Sequence, residues 1–589
     1  MNRDPEARRQ WQKWLLASAA LLTALTTRQA RALPPAPQGY LQIFAQQYPS
    51  SGRDVPATIL EQLKAAGARE VVGPDGVRWR ATPQGLRRTA REGKPELWVG
   101  GQGLPVRTLT GLAVAPDGVL WLGSNEGAAC FKPGEPPERR WFYFWGKRYL
   151  PDNFVENVVA QPGGAWIRTR TGIARIEFRP YDLEQKSALF VQRIQARHQR
   201  YGYVAECDLL RPGDVSSFRP APSDNDGLWT AMEVAAECFR YSVTHSPEAL
   251  GNARRSLQAL IRLESTTGIP GFPARALIRR GDYRDPEGEW HWTPDGAWEW
   301  KGDTSSDELV GHFFAYYVAA TLLPDESDRA AVRPVAGRIA AHLLDHGLNL
   351  VGPGGRVTRW GRYAPEYFRT PDGRVDRALN SLEILSHLKV AYDLTHEERL
   401  RREYHRLVNE LGYDRNLLGY ATEAPLEENY SDEELAFLSF YPLLRLEEDP
   451  HLKQEYQRAL EALWRRSRNE KNPLWNYIAA AGLGAAEGYG ERDALDSLER
   501  LPVETICWTV KNSQRIDLEK DSRTGRFREK QSRLAIPPNE RRVMKWNGNP
   551  FELDGGNGGR SEDDGAFFLL PYWLGRYHGL VKRAVDDRR

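Results

Sequence analysis

Between residues 183 and 580 two kinds of helical segment alternate. Six segments join a polar, acidic or amide-rich cluster to a nearly all-apolar run: 223–239, 303–323, 377–394, 429–444, 472–486 and 561–575. Charged amphipathic stretches separate them, at 184–203, 247–264, 327–348, 397–411, 452–467 and 491–500. A helix apolar on nearly all sides must be surrounded by protein, whereas one with a charged face lies outside. Six buried helices alternating with six surface helices predict an all-α (α/α)6 toroid over 183–589. The longer gaps, Trp-rich at 267–302 and Arg- and Gly-rich at 512–560, must hold loops or hairpins over the ring.

Residues 33–182 follow another period. VVGPDGVRWRATPQGL (71–86), LAVAPDGVLWLGSNEGA (112–128) and VVAQPGGAWIRTRTGI (158–173) align. Trp79, Trp121 and Trp166 stand 42 and 45 residues apart, as do Gly85, Gly127 and Gly172. Each unit predicts a strand, a Pro-(Asp/Gly)-Gly turn, a Trp-bearing strand, a Gly turn and a further strand. A period near 40–45 with these landmarks is a propeller-blade pattern. Closed propellers take about four to eight blades, so three units predict a partial, β-propeller-like domain. The units resemble the propeller repeats of sensory two-component regulators, in motifs such as Ala115-Pro116-Asp117-Gly118-Val119-Leu120-Trp121. They carry no acid cluster and are expected to support a substrate groove without taking part in catalysis. Pro294-Asp295-Gly296-Ala297-Trp298 has the same turn standing alone and reads as a hairpin within a loop.

The N-terminus reads as an address. Arg3, Arg8, Arg9 and Lys13 precede an uncharged run at 14–27, and Ala30-Arg31-Ala32 offers a small-x-small cleavage site. That is a signal peptide over 1–32, and Arg8-Arg9-Gln10-Trp11-Gln12-Lys13 resembles the twin-arginine export motif. The mature chain is expected in the periplasm or outside the cell, with no integral membrane domain after cleavage. A length of 589 residues implies two to four domains. Eighty-one Lys and Arg against 79 Asp and Glu leave no electrostatic footprint for nucleic acid. The four widely spaced cysteines are neither a zinc motif nor a disulfide framework and are expected as buried free thiols. Nineteen Trp and 24 Tyr suit sugar stacking, although most aromatic rings build cores.

All six polar clusters sit at the N-terminal ends of the apolar helices, so in a toroid they meet at one mouth. They gather Asp224, Asp226, Asp303, Asp307, Glu308, Asn380, Glu383, Asn429, Asp432, Glu433, Asn476, Glu562, Asp563 and Asp564. One cap per helix would suffice, and the excess predicts chemistry. Glycoside hydrolysis needs two carboxyls, one protonated, and adjacent carboxylates raise each other's pKa. Asp563, between Glu562 and Asp564, and Asp307, beside Glu308, are therefore general-acid candidates, with Asp226 and Asp432 as base or nucleophile. His312, one turn after Glu308, would serve a lyase as base, with Asn429, Tyr430, Asn512, Arg515 and Lys545 completing the set. Lys545, Trp546, Asn547 and Asn549 precede the last apolar helix in a Gly-rich loop suited to sugar contact, and Trp475 offers another ring. No cofactor is required. Asp224-Asn225-Asp226-Gly227 resembles the start of a calcium loop but lacks the distal Glu of an EF-hand.

This arrangement resembles the six-hairpin glycosidase superfamily, which includes many glycoside hydrolases and several polysaccharide lyases. The resemblance implies an active site at the mouth, with Asp or Glu as acid and base. The leading expectation is an exported carbohydrate-active enzyme, a glycoside hydrolase acting on a poly- or oligosaccharide. The alternatives are a lyase on a uronate-containing glycan, a non-catalytic sensory or carbohydrate-binding protein, and a sugar isomerase or epimerase, which usually wants paired histidines. N-terminal sequencing of protein recovered from the periplasm should begin near Leu33; an intact Met1 in a soluble cytoplasmic fraction would reject the export signal.

Overall fold

Turn chemistry organises the N-terminal third. In this computed structural model, which describes residues 39–581 apart from 66, 423–427, 485–487, 543 and 544, twelve strands form three four-stranded antiparallel sheets. The expected signal peptide lies outside the described residues. Strand β1 is Tyr40–Pro49, and helix α1 (Ala57–Lys64) follows it. Strands β2 to β5 (Glu70–Val72, Arg78–Thr82, Gly85–Thr89, Glu96–Trp98) make the first sheet. The second contains β6 to β9 (Leu109–Val114, Leu120–Ser124, Gly127–Phe131, Trp141–Phe144). The third is β10 to β12 (Val155–Gln161, Gly164–Thr169, Gly172–Tyr181), completed by β1, which pairs with β12 along ten residues.

The repeated residues do one job in each sheet. Asp75 and Asp117 accept the N–H two residues on, at 3.0 and 3.2 Å, closing the turns before the Trp strands. A Cβ on Gly85, Gly127 or Gly172 would come within 2.5, 2.5 and 2.6 Å of the carbonyls of Trp98, Phe144 and Tyr48. Each glycine thus lets the neighbouring strand approach, and in the third sheet that strand is β1. Trp79, Trp121 and Trp166 are buried, Trp121 stacked on Phe144 at 5.5 Å. They build sheet cores and are not sugar platforms. The three sheets do not close into a propeller.

The remaining chain is mainly helical. Helix α2 (Leu183–Arg193) begins at an Asp182 cap. Then come α3 (Asp226–Thr244), α4 (Pro247–Thr266), α5 (Ser306–Leu322), α6 (Glu326–Asp345), α7 (Pro371–Thr395), α8 (Glu398–Asn409) and α9 (Tyr413–Thr422). Last are α10 (Tyr430–Leu446), α11 (Pro450–Ser467), α12 (Pro473–Leu483), α13 (Glu491–Arg500) and α14 (Ala566–Tyr577). Helices α3, α5, α7, α10, α12 and α14 pack each on the next, and α14 returns to α3, so the ring closes. They are the six apolar segments, and their side chains dominate one continuous core. The charged helices back them from outside, α4 on α3 and α6 on α5 and α7.

Two expectations change in detail. The third ring helix begins at Pro371 rather than near 377, because Thr370 caps it, so Asn380 and Glu383 lie inside the helix and not at its end. The 512–560 segment is mostly a bracket to the sheets. Glu540 accepts the Tyr143 N–H at 3.2 Å and also holds Arg515, Arg148 donates to Arg541 O at 2.8 Å, and Tyr149 donates to Asn539 O at 2.7 Å. The isolated turn at 293–298 does form a hairpin, between strands Trp290–Trp292 and Trp298–Lys301. All four cysteines are free thiols, buried except for a half-buried Cys507.

One buried lysine closes the outer seam. Lys186 on α2 donates to the carbonyls of Leu498, Glu499 and Leu501 at 2.9, 3.0 and 2.8 Å, and its ammonium lies 4.9 Å from the Tyr40 ring. It therefore ties β1, α2 and the end of α13 together. Lys186→Met should leave those buried acceptors without a donor and cost about 1–3 kcal/mol, measured by denaturant unfolding; an unchanged midpoint would show that the carbonyls find other partners.

Candidate active site

The helix starts bring carboxyls together from several directions. At α3, Asn225 donates to Asp307 at 3.1 Å, joining it to α5. Arg275 donates to Asn225 Oδ1 at 2.9 Å and holds the Asp307 carboxyl down, although burial raises it overall. Beside it the fully buried Glu308 lies so close to α3 that a Cβ on Gly227 would come within 1.9 Å of its Oε2. Burial pushes Glu308 well above the usual range. The negative charge of Asp307 reaches three further acids, raising Glu383 on α7 and Asp432 and Glu434 on α10. Asp432, half-buried at the start of α10, is pushed up to about 6 by burial and Asp307, against the Asn429 hydrogen bond and Arg526. Burial takes Glu434 to about 8.

At α14 three consecutive acids take three separate roles. Glu562 turns outward to a bidentate pair with Arg197 at 2.7 and 2.8 Å, with Arg193 and His198 close by, and these hold it at about 2 despite burial. Asp564, just before the Gly565 N-cap, accepts the Ala566 N–H, the first of the helix, at 2.8 Å. Asp563 remains. It is buried and pushed up to about 8, first by desolvation, then by Glu206 and Asp564, with Lys545 opposing. The expected mutual repulsion of all three is thus reduced, because Glu562 leaves the cluster for two arginines.

Lys545 joins the two halves. Its ammonium sits 4.2 Å from the Trp229 ring centre and 3.9 Å from Glu206 Oε2. Glu206, Asp563, Asp564 and Glu434 all favour its charged form. Glu233 on α3 and Glu434 are buried with no hydrogen-bond partner among the described residues for either oxygen, and burial raises both. Unpartnered buried carboxyls are costly. Glu206, Trp229, Glu233 and Glu434 were not among the candidates from sequence. A Glu at the third position after Asn429-Tyr430-Ser431 carried the only signal, since Glu434 extends the same acidic run.

Other candidates stand elsewhere. Asp226 is buried and committed to Arg200 at 2.5 Å and to the Ser223 N–H at 2.9 Å. Asp224 is paired with Lys301, so both acids of the calcium-like run already answer internal cations. His312 is fully buried, its Nδ1 2.7 Å from Glu308 O and its ring against Leu260 of the outer helix α4, with burial lowering its pKa. A Cβ on Gly227 of the ring helix α3 would come within 2.8 Å of its Cε1, so the imidazole is enclosed between α3 and α4. Asn380 donates to Arg362 O at 2.7 Å, and Asn476 donates to Gly490 O at 2.9 Å and accepts from Trp464, both as loop anchors. Trp475 stacks on Phe437 at 4.8 Å and bonds Glu470 at 3.0 Å, inside the core. Asn512 and Arg515 hold Glu540 at the bracket. Trp546 is buried against Phe567. Asn549 accepts from Tyr430 at 3.1 Å, and Asn547 is half-buried in the turn after Lys545.

His198, Cys207 and Glu562 place one donor atom each within 4.8 Å of one another. Arg193 and Arg197 already occupy Glu562, and two guanidinium charges oppose a cation there.

No protein-family model matches this chain, and no curated protein matches it. Among solved structures, a D-mannose isomerase matches with a TM-score of 0.36 and 10% identity, over 67% of this chain and 96% of its own. A glycoside hydrolase family 76 mannosidase from Bacteroides thetaiotaomicron matches with 0.34 and 10%, over 68% and 98%.

Asp563 has a folded pKa above its unfolded one, so the folded state holds the proton longer. That group's stabilising contribution is complete below pH about 4 and is lost as pH rises towards about 8. Asp563→Asn should therefore unfold like the parent at pH 4 and be more stable at pH 7.5, by at most roughly 1.4 kcal/mol per pH unit crossed. Denaturant unfolding across pH measures the difference; a variant less stable at pH 7.5 would show the carboxylate to be structurally required.

Proposed function

We propose that this chain is a carbohydrate-processing enzyme, a glycoside hydrolase that cleaves a poly- or oligosaccharide at the convergent helix starts. The observation that carries the reading is the gathering of buried carboxyls at the helix starts, Glu233 and Glu434 among them, around the buried Asp563, which burial raises, and the Lys545 ammonium. A protonated Asp563 can give its proton to the glycosidic oxygen as the bond to the leaving sugar breaks. Asp432, raised only to about 6, is ionised when Asp563 is not. It supplies the carboxylate that activates water or attacks the anomeric carbon, with Asp307 beside it. Lys545 favours ionisation of Asp563 after transfer and readies it to take a proton back.

The lyase set is less well supported, since Asn512 and Arg515 are bound at the bracket and His312 is enclosed between α3 and α4.

Asp563→Asn should reduce turnover on a glycan panel by about 10²–10⁴-fold, with normal folding, as read by reducing-end release. Near-normal turnover would remove Asp563 from the mechanism. The rate should be bell-shaped in pH with its maximum between about 6 and 8, because the acid limb follows Asp432 and the basic limb Asp563. An acid limb unchanged in Asp432→Asn would assign the base elsewhere.

A further inference from the structure

A cleft of about 380 Å³ opens beside the Asp307 corner. Its walls are the open end of one hairpin, where 287–289 and 301–303 flank Trp290–Trp292 and Trp298–Lys301, and the loop of another, between Asn349–Val351 and Val357–Arg362, and its lining includes Asp224, Arg275, Glu289, Lys301, Asp303 and Arg356. The volume is in the range of small-molecule sites. Arg275 connects it to the acid ring, since this guanidinium lines the cleft and bonds Asn225, which bonds Asp307.

Two of the three cations of this cleft are paired with carboxylates. Lys301 pairs with Asp224 and lies 3.4 Å from Asp285, Arg356 pairs with Glu289, and Arg275 bonds the neutral Asp224 O at 2.7 Å. The four acids of the lining, Asp224, Glu287, Glu289 and Asp303, outnumber its three cations, so the cleft as a whole disfavours an anionic ligand. Hydroxyl groups find many partners, because each bound guanidinium keeps spare N–H donors and each carboxylate keeps spare lone pairs. Aromatic surface borders the same space. Trp290 bonds Glu287 O at 3.1 Å and lies 5.7 Å from the Lys301 ammonium, both residues of the lining, and the exposed Trp360 follows Thr358 on the opposite wall. Asp303 adopts a left-handed φ of 49° and accepts the Arg359 N–H at 3.1 Å, so a strained residue joins the two hairpins across the floor.

We infer that this cleft is a binding subsite for a neutral, hydroxyl-rich glycan chain, which runs along it into the Asp307 corner. The assignment rests on the hydrolase reading above and narrows its substrate to an extended chain without uronate charge. The cleft holds sugar units beyond the bond that is cut.

Binding is measured by calorimetry on full-length Asp563→Asn protein, so that turnover does not enter. The probes are malto-, cello- and mannohexaose, their monosaccharides, and hexagalacturonate. At least one neutral hexasaccharide should bind more than tenfold tighter than its monosaccharide. Val357→Trp, at an exposed position on the cleft wall, should abolish that gain and leave the monosaccharide unaffected. Arg356→Ala, which only removes a surface side chain, should reduce it and guards against misfolding of the first variant. The subsite is overturned if no neutral hexasaccharide outbinds its monosaccharide, if the gain survives both variants, or if hexagalacturonate binds best. Failure of hydrolysis by the unmutated enzyme, with cleft-dependent binding intact, would instead overturn the hydrolase reading alone.

Discussion

Carboxyls withdrawn from water without a matching cation are the constraint around which the ring is arranged. Glu233, Glu308, Glu434 and Asp563 are buried, and burial raises each of them. Each could be ionised in place only at considerable cost. Acids further from the centre are treated differently. Asp226 has Arg200, Glu562 has Arg197, and Glu264 has Arg338 at 2.5 Å. The fold evidently has guanidinium groups to spend and places them outside. Lys545 is the exception, one ammonium set among several acids and over the face of Trp229. That asymmetry separates a centre of raised carboxyls from a shell of paired ones.

Helix identity was readable because burial leaves a strong mark. The ring helices carry long buried runs, most completely in α5, where Leu309 to Ala320 are all buried. Which acids would face inward was only half readable. The run Glu562-Asp563-Asp564 looks like one cluster in sequence, yet its members point to an arginine pair, a shared centre and the first N–H of the helix. Short segments such as Ser561–Glu562 pair as strands, and alternation turns neighbours to opposite faces. Asn380 and Glu383 were misplaced along their helix because Thr370-Pro371, a strong start, lies in a stretch that reads as loop. Glu206 and Trp229 were missed because nothing local distinguishes them; distant residues give them meaning.

The sheet third shows the opposite relation between motif and role. Its glycines and tryptophans are conspicuous in sequence and wholly structural in the fold, each glycine admitting a carbonyl and each Trp filling a sheet core. The sheets hold the ring through the 500–541 segment, with Glu540 serving both sides. The bracket thus fixes the strand that leads to α14, since Ile506 bridges Glu562, and Asp563 donates its N–H to Thr505 O at 3.0 Å. Asp563 is positioned from the sheet side as much as from the ring.

Strand β1 precedes all the repeat units yet supplies the outer strand of the last one, pairing from Tyr40–Tyr181 to Pro49–Gly172. During synthesis the third sheet therefore stays incomplete until residue 181 has emerged, and β1 waits for its partner until the last repeat unit has been made. A chain shortened past residue 49 would present β12 as a ten-residue open edge, a template for pairing with other chains. Strand β1 thus acts as a safeguard against self-association.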